Sequence, residues 1–255
     1  GDGALFVRWG VQDFAGGTVV HITAGIAALV ACIMVGKRKG YPTKPMPPHN
    51  MTMTVTGTGM LWVGWFGFNA GSQLGADGTA GMAMLVTHLS AASATLTWIV
   101  IEWVKHGKPS LLGAATGAIA GLGSITAASG TAGVPGGILM GVIAGTICFY
   151  GATSLKKMAG WDDSLDAFGV HGIGGVVGVL LTGVFCAPAL MGSGFSGDHT
   201  MATQVLAQFK GAIFTLVYTG ILSYVILKAI DVTIGLRVSD EAEGQGLDLS
   251  EHEET

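Results

Sequence analysis

The chain has 255 residues, of which half are hydrophobic and only 11% are charged, against about a quarter in ordinary soluble domains; its mean hydropathy is +0.59. Eight of its 16 acidic residues lie from Asp231 onward, and no charged residue occurs between Lys44 and Asp77, Lys108 and Lys156, or Asp166 and Asp198. Such a chain cannot solvate the surface of a soluble fold and is too apolar for disorder, and a net charge of −4 without a basic stripe excludes nucleic-acid binding. The fold class that remains is an all-α integral membrane protein, a polytopic helix bundle.

In chain order, charges and Gly/Pro turns delimit seven apolar segments near the ~20 residues a bilayer demands: 15–36, 51–71, 79–104, 110–130, 135–155, 167–187 and 203–230. Lys37, Arg38, Lys39 and Lys44 fill the first connection, Lys105 and Lys108 the third, Lys156 and Lys157 the fifth. The second, fourth and sixth carry neither Lys nor Arg. The positive-inside rule places the odd connections and the C-terminus in the cytoplasm of a multi-pass protein of the inner or plasma membrane. A membrane domain over 1–232 then gives way to an acidic cytoplasmic tail over 233–255, read as a solvated extension or as a regulatory segment. Opening on a span that enters from outside, with no inward positive flank and an odd number of helices, the chain reads as a piece of a longer protein.

Glycine, 43 residues or about 17% of the chain, falls at four-residue spacing inside the spans: Gly113, Gly117 and Gly121, Gly137, Gly141 and Gly145, then Gly174 and Gly178. That spacing suits close helix packing in lipid. Cys32, Cys148 and Cys186 are distant from one another in apolar surroundings and read as small hydrophobes, not as a disulfide or metal cluster.

Ionisable groups inside a span demand a reason. His49, His106, His199 and His252 lie at span ends or in loops and the tail; His21, His88 and His171 lie within spans. His21 follows Asp13-Phe14-Ala15-Gly16-Gly17, and His171 follows Asp166-Ala167-Phe168-Gly169, in spans of opposite direction. That pattern is the mark of an inverted repeat with a site near the midplane. His88 has no counterpart and reads as a hydrogen-bonded packing residue. Two facing neutral imidazoles, each with one donor and one acceptor nitrogen, can pass a proton or line a path for a small polar solute. Haem ligation is the rival, but no CxxCH motif, HExxH motif or cysteine cluster supports a metal centre. Asp13 suits a cap on the amides at the start of its span, as do Asp162, Asp163, Ser164 and Asp166 on theirs. In Gly64-Trp65-Phe66-Gly67-Phe68-Asn69-Ala70-Gly71-Ser72, Phe68 and Ser72 share a helix face, offering a cation a ring worth ~0.5–2 kcal/mol and a hydroxyl acceptor.

These motifs, with Gly107 to Gly113 (GKPSLLG), Phe168 to Gly172 (FGVHG), Gly235 to Val238 and Gly246 to Asp248, closely resemble the ammonium transporter (Amt/Mep/Rh) family, in its bacterial and archaeal Amt form, over residues 11 to 250. The resemblance implies a trimer of eleven-helix protomers, each an inverted repeat with its own pore, no enzymatic activity and no cofactor. The seven spans correspond to the fifth to eleventh helices. It further implies that His21 and His171 are the twin pore histidines, Phe68 one ring of the gate, Ser72 and Trp65 vestibule residues that recruit ammonium, and Asp13 the structural acid beside the outer site. Lys108, Arg237 and the tail would face a PII-type signalling protein. The family's first four helices are not in this chain, and with half a pore wall it is not expected to transport by itself. Within the same resemblance, a neutral gas channel of Rh type and an ammonium sensor are the alternatives to an ammonium transporter.

Overall fold

The structure, a computed structural model, describes residues 4–252 and is helical throughout, with no strand among the described residues. A short helix α1 (Leu5–Trp9) leads into the spans α2 (Gly17–Val35), α3 (Met51–Gly71), α4 (Gly78–His106), α5 (Leu111–Ile125), α6 (Val134–Ala159), α7 (Phe168–Phe185) and α8 (Met201–Thr233). Two short tail helices follow, α9 (Asp240–Gln245) and α10 (Leu247–His252). Helices α2, α4, α6, α7 and α8 are long and apolar enough to cross a membrane. Helix α5 has 15 residues, and α3 is diluted by threonines. Thr54, Thr56 and Thr58 turn their hydroxyls back onto carbonyls four residues earlier, which lets them sit in a helix among apolar neighbours.

All seven expected spans are present as helices, with shifted ends. The largest shift is in the fourth, which stops at Ile125 rather than near residue 130. The reason is tertiary: Phe14 and Ala15 bring their amides to the carbonyls of Ala127 (3.0 Å) and Thr126 (3.2 Å), so backbone beyond Ile125 finds partners outside the helix. Phe14 also lays its ring over Gly130, where any Cβ would collide with it. Helix α1 has no precedent in the sequence pattern. It ends at Gly10 in the left-handed region (φ 69°), with the His199 ring packed against it.

The glycine rows have a specific purpose. Helix α4 packs against both α5 and α6, which also touch each other, and its Ser90 backbone receives both Gly121 and Gly141, while Ala94 receives Gly117 and Gly145. A Cβ at Gly145 would stand 2.7 Å from the Ala94 carbonyl oxygen. Glycine thus brings three backbones together where lipid provides no hydrophobic drive.

An inverted repeat relates the stretch from α1 through α2 to the stretch from the end of α6 through α7, at a register of 150 residues between the histidines. Gly10 and Gly160 both take φ 69° after a short helical turn. Gly25 crosses on the backbone of Gly172, and Gly175 on that of Ile22, where an added Cβ would stand 3.0 Å from the amide nitrogen. This register corrects the pairing of Asp13 with Asp166: Asp13 corresponds to Asp163, and Asp166 to Gly16. The left-handed backbone at both latter positions (φ 55° and 110°) confirms the alignment. The physical reason is that the capping acid must precede by four and five residues the amides it holds.

The basic connections and the tail gather at one end of the bundle. Arg38 chelates Asp162 (2.6 Å between Nη2 and Oδ1), Tyr41 donates to the Trp161 carbonyl (2.8 Å), and Lys105 lies 4.3 Å from the Tyr150 ring centre. The tail departs from a plain solvated extension. Arg237 donates to the Val35 carbonyl at the end of α2 (3.1 Å) and to Glu243 (2.7 Å), whose other oxygen accepts the Lys39 amide (2.7 Å). The Lys39 amide, then Arg237, hold the Glu243 carboxyl below its ordinary range.

Two predictions follow from these contacts. Gly25→Val should abolish a folded, monodisperse species in detergent, whereas Gly57→Ala, at a position with open space around it, should leave the melting temperature nearly unchanged in the same chromatographic and thermal assays. The Arg38 guanidinium, by its hydrogen bonds and charge, holds the Asp162 carboxyl below its ordinary range. Its contribution to stability is therefore complete above the unfolded value of about 3.9 and disappears as pH falls through the lowered folded value. Asp162→Asn should lower the melting temperature at neutral pH and remove that part of the acid dependence, measured by melts from neutral pH to below pH 3.9.

Candidate functional site

Both histidines sit in π-helical turns, His21 in Gly17–Ile22 and His171 in Phe168–Gly172, each at the start of its span. At each of these two starts a carboxylate collects the free amides. Asp13 accepts from the amides of Gly17 and Thr18 and from the Thr18 hydroxyl. Asp163 accepts from the amides of Ala167 (3.1 Å) and Phe168 (2.9 Å). The capping role expected for Asp13 is thus the role it has here. Asp166 caps nothing; it is ion-paired to Lys156, and burial, its largest influence, raises its carboxyl above the usual range despite that pairing.

The two imidazoles meet. Their Nδ1 atoms are 3.1 Å apart, and the rings are nearly parallel (13°) with centres 5.2 Å apart. A haem does not fit this arrangement, because bis-histidine ligation would require the rings to face each other across an iron instead of bonding each other. His21 is buried (3% exposed). Gly123 of α5 lies against both rings and leaves them room. The pair looks into an open cavity of about 1300 Å³, lined by Phe68, Trp65, Gly64, Leu61 and Met53 of α3 and, toward the basic end, by Arg38, His49 and Asp166.

The other expected residues fall into place unevenly. Phe68 is 40% exposed in this cavity, its ring centre 6.2 Å from that of His21. Ser72 caps α3 one turn beyond, its hydroxyl donating to the Phe68 carbonyl (2.7 Å) and so keeping its oxygen lone pairs free as acceptors. Trp65 lines the same cavity as Phe68. It is buried and stacked on His21, 5.4 Å between centres at 13°, and, three positions before Phe68 on the same face of α3, has its ring centre 5.8 Å from that of Phe68. His88 is corrected: it is exposed on α4 beside the Trp62 and Phe66 rings, 5.5 Å and 6.1 Å away, and makes no hydrogen bond among the described residues. Lys108 is exposed in the α4–α5 connection, while Arg237 is engaged by the tail itself.

Sequence reasoning missed two sets of residues. Thr126, just past α5, lies 3.1 Å from His21 Nε2 and accepts from Trp65 Nε1 (3.0 Å). Gln204 and Gln208, both fully buried in α8, hold the loop that carries Asp13: Gln204 donates to the Gly10 carbonyl (2.8 Å), and Gln208 exchanges bonds with the Gln12 backbone at 2.6 and 2.7 Å. Two amides four residues apart in an apolar helix were the available signal for the second set.

Fold and site together define a polytopic helical membrane protein with paired imidazoles facing a cavity between its spans. The comparisons make this specific. The family model described as Ammonium Transporter Family matches residues 1–255, and the chain belongs to that family. A relative from Methanothermobacter thermautotrophicus is 48% identical over 255 residues, 99% of this chain and 62% of its own length. The ammonium transporter of Bacillus subtilis is 44% identical over 256 residues, with the same shares, 99% and 62%. Among solved structures, Saccharomyces cerevisiae Mep2 superposes with a TM-score of 0.82 at 36% identity, over 92% of this chain and 56% of that one. A protein titled Sensor Amt Protein superposes with a TM-score of 0.88 at 31% identity, over 96% and 61%. The chain thus spans about 62% of the length of the first two relatives.

Removing either cap tests the site's foundation. Asp13→Ala and Asp163→Ala should each destabilise the protein by at least the ~0.5–2 kcal/mol of an ordinary N-cap, with the Asn variants milder, as read from unfolding in detergent.

Proposed function

We propose that this chain is the part of a membrane transporter that conducts ammonium nitrogen, with His21 and His171 as its conducting pair. Bare ammonium in hydrocarbon faces a Born penalty of tens of kcal/mol. Losing its proton costs only about 3 kcal/mol if its pKa lies about two units above the ambient pH. Ammonium is recruited near Ser72 and the Phe68 ring, releases its proton to water on that side, and passes as ammonia along the imidazoles, which supply hydrogen-bonding edges that an apolar tube lacks. The observation that carries this reading is the direct contact of the two buried-span imidazoles beside Phe68, at the wall of the cavity. Trp65 contributes by fixing the plane of the His21 ring. The odd-numbered connections and the tail face the cytoplasm, and three copies of the full-length protein assemble, each with its own pore. Lys108 and the neighbouring basic end offer a contact for a PII-type signalling protein.

A sensing role is the second reading, supported by the likeness to the protein titled as a sensor. The deciding experiment adds ammonium to liposomes holding the full-length protein that carries this chain, and records current and internal pH. The expected result is a saturable ammonium-dependent flux, read as current where the proton also crosses and as internal pH change alone where it does not, and reduced at least tenfold in either case when His21 and His171 are both replaced by apolar residues. Undiminished flux in the double variant would overturn the histidine pathway. A pH change without current would indicate neutral gas conduction, and neither signal would leave the sensor.

A further inference from the structure

The Thr126 hydroxyl is fully buried and has three polar neighbours. The first is the Leu122 carbonyl, 2.8 Å away. In a continuous helix that carbonyl would accept the Thr126 amide, but the amide is diverted to Gly123 (3.4 Å) at the end of α5, so the carbonyl takes its hydrogen from the Thr126 side chain instead. The second neighbour is Trp65 Nε1 at 3.0 Å, a group that can only donate. The third is His21 Nε2 at 3.1 Å.

A hydroxyl has one hydrogen and two lone pairs. The carbonyl uses the hydrogen and the indole one lone pair, leaving only a lone pair for His21. His21 Nε2 must therefore carry a hydrogen. In the neutral ring its Nδ1 is then bare, and the 3.1 Å contact requires His171 Nδ1 to be the donor. His171 Nε2 is left without a hydrogen and without a partner among the described residues.

We infer that Thr126 is a positioning residue that locks the tautomer of the pair, so that its single vacant acceptor is Nε2 of His171. The lock is directional. His21, on the Phe68 side, can neither accept a further proton at Nε2 nor expose Nδ1, while His171, on the Asp166 side, can accept one. Under the transport reading, this geometry admits ammonia along the rings while denying a proton entry through His21. The inference rests on that reading only for this consequence; the tautomer itself can be measured whether or not the protein transports.

The test is nitrogen NMR of the full-length protein, labelled at histidine and held in lipid, with Thr126→Ser, Thr126→Val and Trp65→Phe alongside, and with His21 and His171 assigned by single replacement. The wild type should show His21 protonated at Nε2 alone and His171 at Nδ1 alone. Thr126→Ser should reproduce that pattern. Trp65→Phe should as well, since Leu122 still claims the hydroxyl hydrogen. Thr126→Val should split the His21 signal between two tautomers. A wild-type His21 protonated at Nδ1, or a Thr126→Val protein with an unsplit Nε2–H signal, would overturn the proposal. Should the valine variant fail to fold, the wild-type and Trp65→Phe spectra decide, because a hydroxyl that donated to His21 would show a bare Nε2 in the wild type.

Discussion

A backbone amide inside lipid has no water to fall back on, and the structure is organised by how two helix starts meet that constraint. Spans α2 and α7 begin within the bundle, in wide turns whose first amides cannot all find carbonyl partners. One carboxylate at each start collects them, Asp13 for one and Asp163 for the other. Those carboxylates stand eight residues before the histidines, across a short non-helical stretch and the first wide turn, so each imidazole projects from a segment whose origin is fixed by charge-assisted hydrogen bonds. The loop that carries Asp13 is in turn tied to α8 by Gln204 and Gln208. A chain of polar contacts thus runs from α8 to the segment that carries His21.

The second requirement is closeness. Two imidazoles can bond each other only if their helices cross nearly backbone to backbone, and Gly25 and Gly175 permit that crossing. Gly123 clears space beside the rings, and the small residues around Ser90 allow α5 to approach α4 and present Thr126 to His21. Trp65 closes the arrangement from α3 by stacking on the ring and donating to the same hydroxyl. Position, tilt and protonation of His21 are then set by three different helices.

At the basic end, charge does the equivalent work near water. Arg38 joins the first connection to the start of the second repeat unit through Asp162, and Arg237 folds the tail onto the end of α2. The first connection and the tail converge on Lys39 and Glu243. Contacts of this kind link the tail to the position of α2, the helix that carries His21.

The sequence by itself determined the membrane class, the seven helical segments, the common end of the basic connections, the equivalent placing of His21 and His171 in two spans, and the capping role of Asp13. These depend on local quantities: hydropathy over a bilayer's thickness, the spacing of glycines, and a carboxylate a fixed number of residues before a helix start. Only the tertiary structure decided the rest. It ended α5 at Ile125 because residues 14 and 15 claim the carbonyls beyond. It stacked Trp65 on His21, left His88 exposed, and paired Asp13 with Asp163 instead of the nearer look-alike Asp166. It also brought Thr126 to the histidines and the tail to the first connection. Each of these depends on which atoms of distant segments share a hydrogen bond, and a pattern within one helix carries no record of its partner 100 residues away.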